Sequence, residues 1–265
     1  MKLSYRNAFI IVFVWNFFSA FAQASPTDDF FLDFKNRLHP EIVDFTRTAG
    51  WTVQSRGLSS AEPLGVFGFD AGFEITTIPR NAFHFDSYNM DLPSAFPRLN
   101  VAKGLTKYLD LEASLLMPKL FKAQILIPRE IESLIVAGGG LKYTMLSEEE
   151  YLVSLAGRFS YTRLMMNFFN ADIFGGDASI SRTFKIPVVA LSLTPYGGAG
   201  YISTVGEFDI AKIPYVNRGK YKAQTYRYYG GLSARISVIN ITGQVDIGTA
   251  NALDRTYSLK ASIDI

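Results

Sequence analysis

Two groups of residues have types and spacings that could do chemistry. The first is His84-Phe85-Asp86-Ser87. An imidazole, a carboxylate and a hydroxyl are the parts of an acid–base or nucleophilic centre. Such a centre needs the carboxylate to orient the ring and the nucleophile to lie within hydrogen-bond reach of it. Neighbours along one segment rarely reach that geometry unaided, so the string reads as a solvated loop before it reads as a rim enzyme hydrolysing lipid or peptide. His39, followed by Pro40, reads as a helix-end residue. The second group is a set of charges at alternate positions: Asp70 and Glu74, Asp110 and Glu112, Arg158, Arg182, Arg227 and Arg235, Asp246, Lys260 and Asp264. Alternation puts each of them on one face of an extended segment. Acids and bases on a face turned away from bulk water must pair or be hydrated. They make either a salt-bridged filling or a charged conduit or ligand pocket.

Other chemistry is missing. There is no G-x-S-x-G, phosphate loop, H-E-x-x-H or EF-hand string. Cysteine is absent and only two histidines exist, which removes disulfides, thiolate metal sites and multi-histidine centres. A net charge of +2 is too balanced for nucleic acid held on a basic surface. No catalytic residue, metal or cofactor is therefore expected.

The charges need elements to position them. Lys2 and Arg6 precede an apolar stretch, Ala8 to Phe21, and Ala22-Gln23-Ala24 offers small residues at a cleavage site. That pattern is a secretory signal peptide over 1–24, with the mature chain beginning at Ser25. Export without cysteine suits a Gram-negative envelope. Next, Thr27, Asp28 and Asp29 are helix-starting residues, and Phe30, Phe31, Phe34 and Leu38 recur at helical spacing. Pro40 interrupts, Ile42, Val43 and Phe45 continue, and Gly50 closes the run. Segment 25–59 is thus an amphipathic helical piece: packed on an apolar surface, plugging a barrel through those Phe and Leu side chains, or lying on a membrane.

From Leu64 the period changes to two. Phe67, Phe69, Ala71, Phe73 and Ile75 oppose Gly68, Asp70, Gly72, Glu74 and Thr76, and the same alternation returns to the end of the chain. Ten strands are expected, near 64–77, 96–103, 108–117, 131–146, 151–164, 171–183, 188–203, 221–238, 239–249 and 254–265. Segments 50–59 and 120–127 would raise the count to twelve. Most strands exceed the ~5–6 residues of ordinary sheets and match the ~9–11 of membrane-spanning strands. Long and short connections alternate, as in outer-membrane barrels. Gly138-Gly139-Gly140 inside a strand suggests a bend or a close approach. Tyr108, Tyr143, Tyr151, Tyr161, Tyr201, Tyr221 and Tyr257 fall near strand ends, where an interfacial girdle would sit.

The last strand, Tyr257-Ser-Leu-Lys-Ala-Ser-Ile-Asp-Ile265, resembles the terminal recognition strand of Gram-negative outer-membrane barrels, with Ile265 where Phe is usual. Ser60-Ala-Glu-Pro-Leu-Gly65, Gly68-Phe-Asp-Ala-Gly72, Lys103-Gly-Leu105 and Thr194-Pro-Tyr-Gly197 resemble a family of uncharacterised proteobacterial outer-membrane barrels. The resemblance implies a location and a fold, insertion by the barrel-assembly machinery through strand 257–265, and no catalytic residue.

The expected fold is all-β: a closed antiparallel transmembrane barrel over 60–265, of about ten strands, with an N-terminal amphipathic helix. Its surroundings would be outer-membrane lipid, and nucleic acid is excluded as a partner. The expected role is a narrow or plugged barrel for passage or binding of a small solute, apolar solutes included. The alternative is a structural or adhesive barrel acting through loops 78–95 and 204–220. The non-membrane rival is an exported β-sandwich. Mass spectrometry of the exported protein should give an N-terminus at Ser25; a mature form retaining Met1 would refute the signal peptide.

Overall fold

The computed structural model describes residues 42–77, 95–116, 134–166, 169–187, 190–208, 219–249 and 255–265. The signal peptide, the Phe30–Leu38 face, His39, His84–Ser87 and segment 120–127 lie outside them. The chain divides into two compact units after Ile42, and every strand belongs to the second, Val43–Ile265. Among the described residues there is one helix, α1 (residues 42–53), followed by an irregular stretch to residue 68. The strands are β1 (Phe69–Thr77), β2 (Ala95–Gly104), β3 (Leu109–Leu116), β4 (Ile135–Leu146), β5 (Ser154–Met165), β6 (Phe169–Ser181), β7 (Phe184–Ile186), β8 (Leu191–Phe208), β9 (Lys220–Ile236), β10 (Ile239–Gly248) and β11 (Arg255–Asp264).

Every pairing is antiparallel. Neighbours in sequence are neighbours in space, β1 pairs with β11, and β6 pairs with β8, which closes the sheet. β7 is no extra stave. Phe184 pairs with Leu193 in the same register that pairs Ser181 with Tyr196, so β6 and β7 are one strand broken at Arg182-Thr183. The amide of Arg182 still donates to the Pro195 carbonyl at 3.2 Å, but proline has no N–H to return. The barrel therefore has ten staves.

Their stagger can be counted. Partners run from Ile236 through Ile239, Ile263, Ala71, Val101, Ala113, Gly139, Tyr161, Phe174 and Ser203, and return to β9 at Gln224, twelve residues along. With ~3.3 Å per residue and ~4.8 Å between strands, ten staves and a shear of twelve give a tilt of about 40° and a backbone radius of about 10 Å.

Burial is inverted relative to a water-soluble sandwich. On β11, Thr256, Ser258, Lys260 and Ser262 are buried, whereas Tyr257, Leu259 and Ile263 are each about half exposed. On β9, Thr225, Arg227 and Ser233 face in, and Tyr226, Tyr228, Leu232 and Ile236 face out. From Ile236 to Tyr226 is ten residue steps along β9, which at that tilt span about 25 Å, the height of the apolar band of an outer-membrane barrel. Tyr161, Tyr201, Tyr226 and Tyr257 fall within about 4 Å of one height at its upper edge. Two aromatic pairs mark that edge, Tyr201–Tyr226 with ring centres 5.5 Å apart and Tyr161–Phe174 at 5.2 Å. Tyr221 belongs to the inward set of β9 and is no part of the girdle.

Several boundaries move. β1 starts at Phe69, not Leu64, because Leu64 to Gly68 still belong to the stretch leaving the lumen at the short-turn end. Residues 50–59 form no strand: the helix runs through Gly50 to residue 53, and the rest is irregular. β8 extends to Phe208 and β9 begins at Lys220, so the expected loop 204–220 shrinks to 209–219. Short connections (105–108, 147–153, 187–190 and 237–238) gather at one end. The strand ends that flank 78–94, 117–134, 166–168, 209–219 and 249–254 lie at the other end. At the short-turn end Lys107 pairs with Glu149 and Glu150 at 3.2 and 3.5 Å.

An outward arginine should cost stability by depth. Leu259→Arg, mid-band, is expected to lose about 2–4 kcal/mol and Ile239→Arg, at the lower edge, about 0–1. Urea unfolding from lipid vesicles measures both; equal losses would contradict a lipid-facing band.

Candidate functional site in the barrel lumen

A cylinder of this radius is too wide for its wall side chains to fill, and α1 with the stretch after it takes up the space. The two halves of the lumen are lined differently. Toward the long-connection end, Phe45, Ala49, Trp51 and Val53 pack on Phe96, Leu116, Leu134, Val136, Leu164, Phe169, Ala171, Ile173 and Ile202. The Phe45 ring meets Phe169 edge-on at 4.9 Å. These wall residues sit at lumen-facing positions, where the alternation predicts polar ones. They are apolar because a helix rather than water covers them.

Below the helix the lining turns polar and grips the chain by its backbone. Arg98 donates to the carbonyls of Val53 and Gln54 at 2.7 and 2.8 Å. Arg56 curls back to the carbonyls of Trp51 and Thr52. Two guanidiniums thus cap the C-terminal end of α1, where unpaired carbonyls and the helix dipole favour positive charge. Lys142 donates to the carbonyls of Ser60 and Glu62 at 3.1 and 2.7 Å, and Lys260 lies 3.5 Å from that of Leu58. The amides of Ser55, Ala61 and Leu64 donate to Thr162, Ser181 and Asp110. Glu62 ends the series, accepting from Ser154 at 2.6 Å and from the Glu148 amide at 3.2 Å.

The wall charges pair between strands. Glu74 faces Arg98 at 3.9 Å, Asp110 faces Lys142 at 3.1 Å, and Asp70 meets Lys260 at 2.6 Å. The longest chain runs Glu112–Arg158–Asp177–Arg227–Asp246, with links of 3.5, 2.8, 3.2 and 3.5 Å. Tyr229 donates to Asp177 at 2.8 Å, and the Arg227 guanidinium lies 4.5 Å from its ring centre. Two of these links jump a strand, and glycine makes room for each. Gly140 stands between Glu112 and Ser160 on the row that Glu112 crosses, and Gly200 between Asp177 and Arg227. A Cβ on Gly200 would sit 2.6 Å from that of Asp177. Arg56, from the threaded stretch, joins the end of the chain at 3.4 Å from Asp246. Gly57, at φ 49°, leaves space for Arg158, whose Nη1 would lie 1.6 Å from a Cβ there.

Of the charges singled out in the sequence, Asp70, Glu74, Asp110, Glu112, Arg158, Arg227, Asp246 and Lys260 line this lumen. Arg182 points outward, at the break between β6 and β7, against the Phe184 ring. Arg235 sits at the rim with Asp264 at 3.0 Å, too close to the β9–β10 turn to be enclosed. Arg98, Lys142, Asp177 and Arg56 complete the lumen set without having been singled out. Plug residues Phe30, Phe31, Phe34 and Leu38 lie outside the described residues, and the described filling is the next stretch, 43–64. Gly138, in the glycine run, does mark a close approach: a Cβ there would lie 3.2 Å from that of Ser55. A cavity of about 30 Å³, beside Asp70, Asp110, Lys142 and Lys260, is room for one water.

No protein-family model matches the chain, and no curated protein matches it by sequence. Among solved structures it is similar to LpxR from Salmonella typhimurium, at 9% identity over 73% of this chain and 99% of that one, with a TM-score of 0.39. It is also similar to Ail of Yersinia pestis (10% identity, 75% and 97% covered, TM-score 0.30) and to Neisserial surface protein A (11%, 76% and 97%, TM-score 0.32). Scores this low decide nothing about what this chain does.

Asp177 holds two buried guanidiniums. Asp177→Asn should destabilise the barrel by about 3–5 kcal/mol, because Arg158 and Arg227 lose a shared partner in a dry lumen. Urea unfolding in vesicles measures it, and a loss under about 1 kcal/mol would show that water enters freely.

Proposed function

We propose that this protein is an outer-membrane barrel closed by its own N-terminal segment and opened for a small, apolar solute by displacement of residues 43–64. One observation carries the reading: the wall charges are paired strand to strand, while the threaded stretch is held mainly by its backbone. Its carbonyls and amides can exchange wall partners for water one at a time, each at a net cost of about 1.5–3 kcal/mol where the partner is charged (Arg98, Lys142, Lys260, Asp110) and about 0.5–1.5 kcal/mol where it is a hydroxyl (Thr162, Ser181). The helix covers an apolar half-lumen, and withdrawing it would present Phe96, Leu116, Val136, Leu164 and Ile202 to an entering solute. Location in the outer membrane is supported by the band height, the tyrosine level and the placing of short turns at one end.

A surface role has one observation in its favour. β6, β8 and β9 continue past the tyrosine level, β8 by seven residues beyond Tyr201. Removing segment 210–218 should abolish any attachment to a partner while leaving the barrel folded, and attachment unchanged by the cut would dismiss that role.

The absence of cysteine allows a clean test of the gate. Ser55→Cys with Thr162→Cys places thiols where the Ser55 amide meets the Thr162 hydroxyl at 3.1 Å. In liposome swelling or planar-bilayer recording the oxidised pair should be silent, and the reduced pair should recover the transient passage of the unmodified protein. Deletion of 43–64 should give a steady conductance. Passage unchanged by oxidation, or a deleted but folded barrel that stays closed, would refute the gate.

A further inference from the structure

The broken stave has a consequence on the outer wall. β5 begins at Ser154, opposite Ser181, so the chain from Arg182 to Ile186 continues beyond its neighbour's end. Among the described residues that edge has no strand beside it. The amide of Thr183 is instead taken by both carboxylate oxygens of Glu148, at 2.8 and 2.9 Å. The step leaves a groove of about 290 Å³ on the wall, lined by Val153, Ile180, Ser181, Arg182, Pro195, Tyr196 and Gly197. It is continuous with the apolar band above it, where Ile180 is half exposed.

At the mouth of this groove stands Arg182. Of the other cations near this rim, Lys103 donates to the carbonyls of Val66 and Gly68, Lys107 pairs with Glu149 and Glu150, and Arg235 pairs with Asp264; Lys185, three residues along the same edge, is exposed and has no carboxylate partner among the described residues. The Arg182 guanidinium has an aromatic ring 5.3 Å away, that of Phe184, and no carboxylate partner among the described residues. A guanidinium at the lower edge of an apolar band calls for an anion, and its planar fork matches a phosphate through two parallel hydrogen bonds. The molecules that bring phosphate and hydrocarbon together at that depth are membrane phospholipids. We propose that the notch seats one phospholipid of the leaflet at the short-turn end, its phosphate on Arg182 and an acyl chain along Ile180, Val153, Pro195 and Gly197. The proposal rests on the reading of this wall as lipid-embedded. It does not depend on whether the lumen opens.

Native mass spectrometry of the detergent-purified full chain tests it, with phosphatidylglycerol as the probe at low lipid ratio. Unmodified protein should retain one phosphatidylglycerol. Arg182→Gln should weaken retention about tenfold, Arg182→Lys less, and Val153→Trp should weaken it by filling the groove. Diacylglycerol, which has the chains without the phosphate, and glycerol phosphate, which has the headgroup without the chains, should both be lost. Folding of each variant is checked by heat-modifiable gel migration. Equal retention by Arg182→Gln, or of diacylglycerol, would overturn the seat, and tight glycerol phosphate binding would overturn its hydrocarbon half. A chain that is dissolved and monomeric without detergent would overturn the lipid-embedded reading itself. A chain that enters vesicles but keeps its lipid as Arg182→Gln loses only the seat.

Discussion

Ten staves at a shear of twelve enclose a space with an awkward size. Eight-stranded barrels are filled by wall side chains, and barrels of sixteen or more hold bulk water. Between these limits a charged wall has neither close packing nor a bath, and each charge must find a partner or be desolvated at a cost of several kcal/mol. The rest of the molecule answers that constraint. Wall acids and bases face one another in register, as Asp110 and Lys142 do, and glycines clear the rows where partners stand two strands apart. The remaining volume takes a helix and one extended chain, about what a cylinder of this radius admits.

The direction of the threaded chain is set by electrostatics as much as by shape. Helix α1 puts its apolar face against the apolar half of the wall and its C-terminal carbonyls at the start of the polar half. Arg98 from β2 and Arg56 from the stretch itself meet those carbonyls. The opposite orientation would bring amides to the same guanidiniums. Among the described residues, six wall carboxylates (Asp70, Glu74, Asp110, Glu112, Asp177, Asp246) face five wall cations (Arg98, Lys142, Arg158, Arg227, Lys260), and the threaded stretch adds Arg56 beside Asp246 and Glu62 beside Ser154.

The strands were legible because lipid outside and polar filling inside enforce alternation over ten residues or more, as at Tyr257–Ile265. The lumen was legible only where alternation was clean. Lys142 follows three glycines that blur both faces, Arg98 follows a proline, and Asp177 lies among small residues that suit either side. Arg182 was assigned inward because the local pattern there has little contrast; the pairing Ser181–Tyr196 turns it out. Gly50 reads as a helix stop, yet the helix continues through it because Thr204 fills the place of its missing side chain: a Cβ there would lie 1.9 Å from the Thr204 hydroxyl. That reason is tertiary, and no local pattern carries it. Nor could periodicity announce an apolar half-lumen, since its wall residues are apolar only because a helix covers them.

A lumen that had only to be filled would be better filled with hydrocarbon. Buried ion pairs are often neutral or costly against apolar residues of the same volume. Here, the chain from Glu112 to Asp246 consists wholly of barrel residues, as do the Glu74–Arg98, Asp110–Lys142 and Asp70–Lys260 pairs. Remove the threaded stretch and nearly all of these pairs remain, with one carboxylate in excess and a wall that water can wet. An apolar filling would instead collapse or stay dry. The plug, for its part, gives up backbone hydrogen bonds that water replaces. On the proposed reading, the arrangement spends stability in the closed state to keep an open state within reach.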